Sequence, residues 1–238
     1  MSVDILAIAA HRDDVELTCG GTLLAAAARG RRTAIIDLTA GEAATRGSAD
    51  LRAREAERAA EILGVATREN LGFPDAGLVN TPETRAKVAV AIRRLRPRVV
   101  IAPAAHGRHP DHRVAGELIR DAAFIAGLAK VEPTVPAHRP FKVVHTLTYR
   151  EDAVKPTFIV DISDVFERKV QAIQCYASQF EGVKQAGEVY PNGDPLLEIV
   201  RHQAAHYGSQ IRTRYGEPFF THETMRVDDI ATIEVSTF

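Results

Sequence analysis

The sequence is poor in cysteine and has almost no net charge. Two cysteines in 238 residues, Cys19 and Cys175, cannot build a disulfide framework, and so low a count suits a reducing compartment. Lys and Arg number 30 against 31 Asp and Glu, which gives a formal net charge of -1. Without a basic excess the chain has no electrostatic footprint for nucleic acid, so we expect no nucleic-acid partner.

Long apolar runs are also missing. No stretch of about 18 apolar residues exists, which predicts that the chain does not enter a membrane. The start of the sequence carries Asp4 and lacks a basic segment, which argues against a signal peptide. Together these absences predict a soluble cytoplasmic protein. The hydrophobic fraction of 45% and charged fraction of 26% are ordinary for a globular chain that is long enough to bury a core.

The order of elements is an alternation of strands and helices. Short apolar runs that do not alternate with polar residues favour buried parallel strands, covered by helices on both faces. This predicts a Rossmann-like α/β fold with a mostly parallel sheet and a C-terminal elaboration. We predict one domain over 1–238, with a metal-binding core at 1–130 and pocket-completing elements at 131–238. The predicted strands are 3–9, 32–38, 99–102, 142–149, 157–160 and 231–235, and the predicted helices are 20–29, 50–63, 81–95, 114–128, 163–179 (with Ser163 as N-cap) and 196–207. We expect a mobile loop at 182–195 and, apart from that last strand, an irregular tail from Tyr215.

The first group of chemically active residues directly follows the first strand. His11, Asp13 and Asp14 leave the carboxyl end of that strand, where open parallel sheets bind ligands. A histidine and a carboxylate three residues apart on a tight turn can point at one metal ion. Asp13 would then lie beside the metal without binding it.

The second group follows the 99–102 strand and reads Arg108-His109-Pro110-Asp111-His112. Adding His112 to His11 and Asp14 makes two imidazoles and one carboxylate. Three protein ligands with an open fourth position are the usual catalytic zinc arrangement, although other divalent ions can occupy such a site. His109 and Asp111 remain as a hydrogen-bonded pair in which a carboxylate could hold an imidazolium.

Each group taken alone has a simpler structural explanation. Asp13 and Asp14 could cap the helix at Gly20, and Asp111 could cap the helix that follows it. A metal site is favoured over caps because both groups follow predicted parallel strands, whose ends meet at one edge of the sheet.

Several motifs resemble the PIG-L/LmbE-like zinc-dependent N-deacetylases. The opening segment from His11 to Glu16, followed by Cys19-Gly20-Gly21-Thr22-Leu23, is similar to the family's first motif. Arg108 to His112 is similar to its second motif, and the segments 70–75 and 161–163 also match. The similarity runs from Val3 to about Gln179 and continues weakly to Phe219.

This resemblance implies a role for each residue of the two motifs. The implied zinc ligands are His11, Asp14 and His112, and Asp13 is the implied general base. His109, protonated, would stabilise the oxyanion, with Asp111 as its orienting partner. The expected contacts to substrate are Arg52 and Arg108.

Within the family, the chain looks most similar to the bacillithiol-biosynthesis enzymes that deacetylate N-acetylglucosaminyl malate. The segments 51–56, 161–163 and 176–180 carry this likeness. The implied substrate is a small N-acetylated amino-sugar conjugate, and the implied assembly is a homo-oligomer, hexameric by resemblance. A deacetylase or amidase acting on another glycoside or thiol conjugate is the alternative.

Arg12 departs from the family pattern, which has proline at that position. Arginine relaxes the turn and places a cation near two acids, where it could also contact an anionic substrate group. This keeps open a catalytically impaired, zinc-binding family member. A nucleotide-binding module is a further alternative, but no Gly-x-Gly-x-x-Gly follows the first strand.

Overall fold

The computed structural model describes residues 2–132, 134–147, 154–180, 196–233 and 235. Within them, seven strands form one sheet in the order β3-β2-β1-β4-β5-β7-β6. The first five strands pair in parallel, and β7 runs antiparallel to both β5 and β6. This confirms the predicted α/β class with a mostly parallel sheet. The strands are β1 (Ile5–Ala9), β2 (Thr33–Thr39), β3 (Thr67–Phe73), β4 (Val99–Pro103), β5 (Lys142–Thr146), β6 (Phe158–Asp161) and β7 (Gly216–Phe220).

Helices cover both faces of this sheet. Leu6 and Ile8 of β1 belong to one apolar cluster, and Ala7 and Ala9 belong to another. Successive residues of a strand point to opposite faces, so each face has its own core. No described helix is long and apolar enough to cross a membrane. The helices are α1 (Asp14–Thr18), α2 (Gly20–Ala28), α3 (Ala49–Leu63), α4 (Pro82–Leu95), α5 (Pro110–Ile125), α6 (Phe166–Gln174), α7 (Ala177–Phe180) and α8 (Leu196–Gln210).

Local sequence signals set the ends of α3 and α4. The Ser48 hydroxyl accepts a hydrogen bond from the Leu51 amide at the start of α3, and Gly64 ends that helix at a φ of 67°. Thr81 caps α4 and Pro82 occupies its first turn. Both helices therefore begin and end close to where the sequence predicts.

Two strands were not predicted. β3 is an edge strand with a polar sequence, so it shows no apolar run to detect. β7 lies in the tail that is predicted to be irregular, yet all five of its residues are buried, although Gly216 and Pro218 are uncommon in strands. Pro218 lies opposite Ile159 of β6, and β5 pairs only with Phe219 and Phe220. Proline has no N–H to donate, but at this position no hydrogen bond to β5 is lost.

Three further predictions of secondary structure were wrong. Ile230–Thr232 forms a 3-10 turn instead of a strand, because the Asp229 carboxylate accepts a hydrogen bond from the Ala231 amide. The 163–179 segment divides into the 3-10 turn Ser163–Val165, α6 and α7, and the Ser163 hydroxyl donates to Asp161 instead of capping a helix. α5 begins at Pro110, not at 114, so the second motif forms its first turn. The loop predicted at 182–195 lies outside the described residues.

Candidate metal centre and active-site cavity

The two motifs meet where β1 and β4 end, as their positions in the sequence predict. β1 and β4 are neighbours in the sheet, so the loops after them share one edge. His11 lies in the turn after β1, Asp14 begins α1, and His112 lies in the first turn of α5. Asp14 is additionally fixed by the His11 amide, which donates to its carboxylate over 2.9 Å.

Three side chains form a small triangle of metal-binding groups at this edge, in which each Asp14 carboxylate oxygen faces one of two histidines. His11 Nδ1 lies 3.2 Å from His112 Nε2 and 3.3 Å from Asp14 Oδ2. His112 Nε2 lies 3.0 Å from Asp14 Oδ1. Bonds of about 2.0 Å to a tetrahedral ion require ligand atoms roughly 3.3 Å apart. The donor set and its spacing therefore fit a zinc ion.

The carboxylates clustered at the site favour positive charge beside them. Burial opposes charging of His11, but the carboxylates of Asp14, Asp13 and Asp75 outweigh it and raise the pKa of His11 to about 9. Burial likewise opposes ionisation of Asp14, yet His112 and His11 hold the pKa of its carboxyl well below the usual range. Clustered carboxylates in a buried site need a compensating cation, either protonated imidazoles or a metal ion.

His11 is oriented from its other nitrogen by Asp75. His11 Nε2 lies 3.1 Å from Asp75 Oδ1 and 3.5 Å from Asp111 Oδ2. A carboxylate on the second nitrogen of a ligating imidazole fixes the tautomer and the ring orientation. Asp75 was not predicted as a site residue, although the 70–75 segment was noted as matching the family.

Other groupings of donors occur in the same cluster. His11, His109 and His112 offer nitrogens within 4.8 Å of one another, as do His11, Asp75 and Asp111 through their ligand atoms. The second grouping uses His11 Nε2, whereas the triangle uses Nδ1. We favour the triangle because the two imidazole nitrogens and the Asp14 carboxylate lie 3.0 to 3.3 Å apart, close to the spacing around one tetrahedral ion.

His109 and Asp111 contact each other differently from the prediction. The Asp111 backbone amide donates to His109 Nδ1 over 3.2 Å, so the His109 side chain caps α5. The Asp111 carboxylate instead accepts hydrogen bonds from the amides of Ala76 and Leu78. Burial lowers the pKa of His109, and His11 and His112 lower it further. Since Nδ1 accepts a hydrogen bond, the neutral ring carries its proton on Nε2.

Asp13 is held by Arg52. The Arg52 guanidinium donates to Asp13 Oδ1 over 2.9 Å and to the Gly41 carbonyl over 3.4 Å. Arg52 is only 4% exposed, so solvent scarcely competes with its contact to Asp13. Gly41 has a φ of 73°, and a Cβ there would lie 2.1 Å from the guanidinium, so this contact requires glycine.

Both the guanidinium and the backbone carbonyl of Arg12 are hydrogen-bonded. Its guanidinium donates to the Ala49 carbonyl over 2.6 Å, and its own carbonyl accepts short hydrogen bonds from Arg68 and Tyr176. Arg68 also forms a paired contact with Asp37, at 2.8 Å for each bond. These partly buried hydrogen bonds restrain the turn at the position where the family pattern has proline. In this structure the Arg12 side chain is engaged with α3, not aimed at a substrate.

A cavity of about 370 Å³ opens beside the cluster. Asp13, His109 and Arg52 line it, and Arg108 lies exposed at its rim. Its size accommodates a sugar-sized ligand. All eight residues predicted for the site therefore lie at or next to one cavity: His11, Asp13, Asp14, Arg52, Arg108, His109, Asp111 and His112.

Comparison with known proteins identifies the family. Residues 6–123 match the family model PIG-L, described as GlcNAc-PI de-N-acetylase. A diacetylchitobiose deacetylase of Thermococcus kodakarensis is 32% identical over 90% of this chain and 80% of its own length. The chain belongs to the PIG-L family.

Two further proteins are similar to the chain over most of its length. A probable N-acetyl-alpha-D-glucosaminyl L-malate deacetylase 2 of Bacillus anthracis is 30% identical over 74% of this chain and 81% of its own length. The crystal structure of a conserved protein from Thermus thermophilus is 39% identical, superimposes with a TM-score of 0.84, and covers 95% of this chain and 98% of its own. The PIG-L fold of this chain thus extends well beyond residue 123, into its C-terminal strands.

Proposed function

We propose that this PIG-L protein is a zinc-dependent N-deacetylase that removes acetyl from an N-acetylglucosamine conjugate. The observation that carries the proposal is the donor triangle of His11, Asp14 and His112 beside an Asp13 carboxylate held by Arg52. The substrate we propose first is N-acetylglucosaminyl malate of bacillithiol biosynthesis, on the likeness of the segments 51–56, 161–163 and 176–180 to the enzymes of that pathway. Diacetylchitobiose is the second candidate, because the Thermococcus relative aligns over more of this chain than the Bacillus one does.

The residues of the cavity divide the chemistry among them. When bound, zinc supplies Lewis-acid polarisation of the acetamide carbonyl and lowers the pKa of a water. Asp13 takes a proton from the attacking water and later delivers it to the leaving amine. The carbonyl carbon gains a C–O bond, the C–N bond breaks, and acetate and the free amino sugar are released.

His109 stabilises the developing oxyanion as a hydrogen-bond donor. Its Nδ1 accepts the Asp111 amide, which leaves the proton of the neutral ring on Nε2. A preorganised donor stabilises such charge without needing a full positive charge of its own. The lowered pKa of His109 favours this neutral donor over the imidazolium expected from the resemblance.

The test is acetate release from three substrates: N-acetylglucosaminyl malate, diacetylchitobiose and N-acetylglucosamine. Each is assayed with added zinc and again after chelation. Release that chelator abolishes and that strongly prefers the malate conjugate supports the whole proposal. Preference for diacetylchitobiose would support the deacetylase activity and replace the malate conjugate as the proposed substrate. No release from any substrate by protein shown to hold zinc would contradict the proposed activity and favour an impaired family member.

Three properties implied by the resemblance stay predictions. We expect a homo-oligomer, hexameric by family likeness, which light scattering of the purified chain would measure. We expect zinc over other divalent ions, which metal analysis after expression without supplementation would measure. We expect a cytoplasmic location, which cell fractionation would measure.

A further inference from the structure

Leu17 lines three cavities. It lies on α1, three residues after the ligand Asp14, and is 8% exposed. It lines the 370 Å³ cavity of the active site and also two smaller cavities, of about 30 Å³ and 20 Å³. Within the cavities that the described residues enclose, no other residue lines all three.

The 30 Å³ cavity directly adjoins the metal ligands. Asp14 and His112 line both it and the active-site cavity. Its remaining walls come chiefly from small and apolar residues at the ends of β1 and β4 and on α1, among them Ala9, Ala104 and Cys19. This volume holds roughly two water-sized groups, and an apolar lining favours a methyl over water.

An acetamide presents two substituents of very different size on either side of its carbonyl group. One is the sugar-bearing nitrogen and the other is a methyl group. A 370 Å³ cavity and a 30 Å³ cavity that meet at the same two ligands match this asymmetry.

We propose that the 30 Å³ cavity is the acyl subsite and that Leu17 sets the length of the acyl group that it accepts. This inference rests on the proposed function. Behind Leu17, the 20 Å³ cavity is lined by Leu147, Val200 and Ala204 on one side and by the paired Lys169 and Glu217 on another, so shortening Leu17 extends the subsite along its apolar side. The chain therefore takes acetyl, and Leu17→Ala opens the site to longer acyl groups.

The experiment uses one widening variant, one narrowing variant and one matched control. Leu17→Ala widens the subsite, and Ala104→Val narrows it. Leu95→Ala removes the same side-chain volume from a buried position that lines none of the three cavities. Zinc-loaded proteins are assayed on N-formyl, N-acetyl and N-butanoyl glucosamine conjugates. Calorimetry then measures binding of formo-, aceto- and butanohydroxamate, a readout that needs no turnover.

Each buried methylene is worth about fourfold in affinity. We expect Leu17→Ala to raise the butanoyl-to-acetyl ratio about tenfold in both kcat/KM and hydroxamate binding. Ala104→Val should lower the acetyl-to-formyl ratio, and Leu95→Ala should leave both ratios as in the wild type.

Ratios in Leu17→Ala equal to those in Leu95→Ala would overturn the subsite. Should Leu17→Ala not fold, an unchanged acetyl-to-formyl ratio in Ala104→Val would overturn it as well. Shifted hydroxamate ratios without turnover of any conjugate would support the subsite and contradict the proposed deacetylase activity.

Discussion

Asp13 differs from its neighbour Asp14 in what surrounds it, and this difference gives the two carboxylates separate roles. Asp14 lies between two imidazoles, whereas Asp13 contacts the Arg52 guanidinium and lines the large cavity. We expect Asp13→Asn to lower kcat by at least about 100-fold because an amide cannot accept the proton. Zinc content should not change. Acetate release and metal analysis of the same sample measure both effects.

The companion variants separate base from ligand. Asp14→Asn should lose zinc, and Asp50→Asn, an exposed position in the first turn of α3, should match the wild type in both measurements. A wild-type rate in Asp13→Asn would assign the proton transfer to another group.

Asp75 provides a second prediction at the residue scale. Its carboxylate holds His11 from the nitrogen that faces away from the donor triangle. Removing such a partner typically costs 10- to 100-fold in metal affinity. We therefore expect Asp75→Asn to weaken zinc binding by about that factor, measured by competition with a chromophoric chelator. Affinity equal to that of the Asp50→Asn control would mean that Asp75 does not position the ligand.

The ligands could be predicted from the sequence because they lie within two short segments, each directly after a buried strand. Asp75 could not, since its contact with His11 is made by a loop after the polar edge strand β3. The Arg52–Asp13 contact joins residues 39 positions apart, and only the packed structure shows that this arginine positions the base. The proton position on His109 likewise depends on a helix that begins earlier than predicted.

At the scale of elements, one buried arginine organises the end of α5. Arg93 of α4 is 1% exposed, and its guanidinium donates to six backbone carbonyls. Helix ends leave carbonyls without partners, and Arg93 satisfies them from a neighbouring helix. The carbonyls belong to Ile125, Ala126, Leu128, Val131, Glu132 and Val135.

We expect Arg93→Met to lower the free energy of unfolding by at least about 3 kcal/mol, since several buried acceptors lose their donor. Arg94→Met is the matched control, because Arg94 pairs with Glu69 at the surface and such pairs contribute about 0–1 kcal/mol. Urea unfolding measures both variants. Equal effects would show that the carbonyl contacts of Arg93 add no more than a surface pair.

His145 of β5 makes stability depend on pH. It is 1% exposed, and its Nδ1 lies 3.0 Å from the Pro103 carbonyl. A carbonyl only accepts, so Nδ1 donates. Burial lowers the pKa of His145, and the nearby His222 and Arg120 lower it further, against the opposing effects of Pro103 and Glu223.

The sign follows from the direction of this shift. Below a pH of about 6.5, unfolded His145 binds a proton that the folded ring resists, so stability falls as the pH drops. Between pH 7.5 and 5.5, we expect the free energy of unfolding to fall more in the wild type than in His145→Gln. The extra loss should be at most about 1.4 kcal/mol, because only the one pH unit from 6.5 to 5.5 contributes fully. Urea unfolding at both pH values measures this difference. An identical pH dependence in the two proteins would contradict the assignment.

At the scale of the whole molecule, the alternation of strands and helices was enough to predict the parallel part of the sheet except for its polar edge strand β3. β2 is buried along its full length, and between Thr33 and Thr39 it is apolar apart from Asp37, whose charge Arg68 compensates. The antiparallel end was harder to predict, because β7 pairs with β5 and β6 across long stretches of chain. Local sequence carries no record of such partners.

A buried ion pair of the C-terminal part, 131–238, is hydrogen-bonded to the backbone of the metal-binding part, 1–130. Glu217 of β7 accepts hydrogen bonds from the amides of Gly21 and Thr22 at the start of α2, over 2.9 and 2.6 Å. Lys169 of α6 donates to Glu217 over 2.6 Å and to the Leu17 carbonyl over 2.9 Å. Both charged side chains are almost wholly buried, at 2% and 3% exposure. The C-terminal elements are therefore fastened to the helix that follows the metal-binding turn.

This tie leads us to expect that residues 1–238 unfold as one unit. Removing one partner of a buried ion pair costs about 3–5 kcal/mol of stability. Glu217→Gln should therefore shift the unfolding of the whole chain to a lower denaturant concentration. Lys169→Met should cost a similar amount, and the double variant should cost less than the sum of the two single variants, because both remove the same contact.

All five tyrosines lie beyond residue 131, so tyrosine fluorescence follows the C-terminal part while far-UV circular dichroism follows the whole chain. Coincident transitions in the wild type and in Glu217→Gln are the expected result for one cooperative domain. If fluorescence changed at lower denaturant than circular dichroism, the C-terminal part would unfold first. The metal-binding core at 1–130 would then be a separate domain, to which the buried pair only docks the rest of the chain.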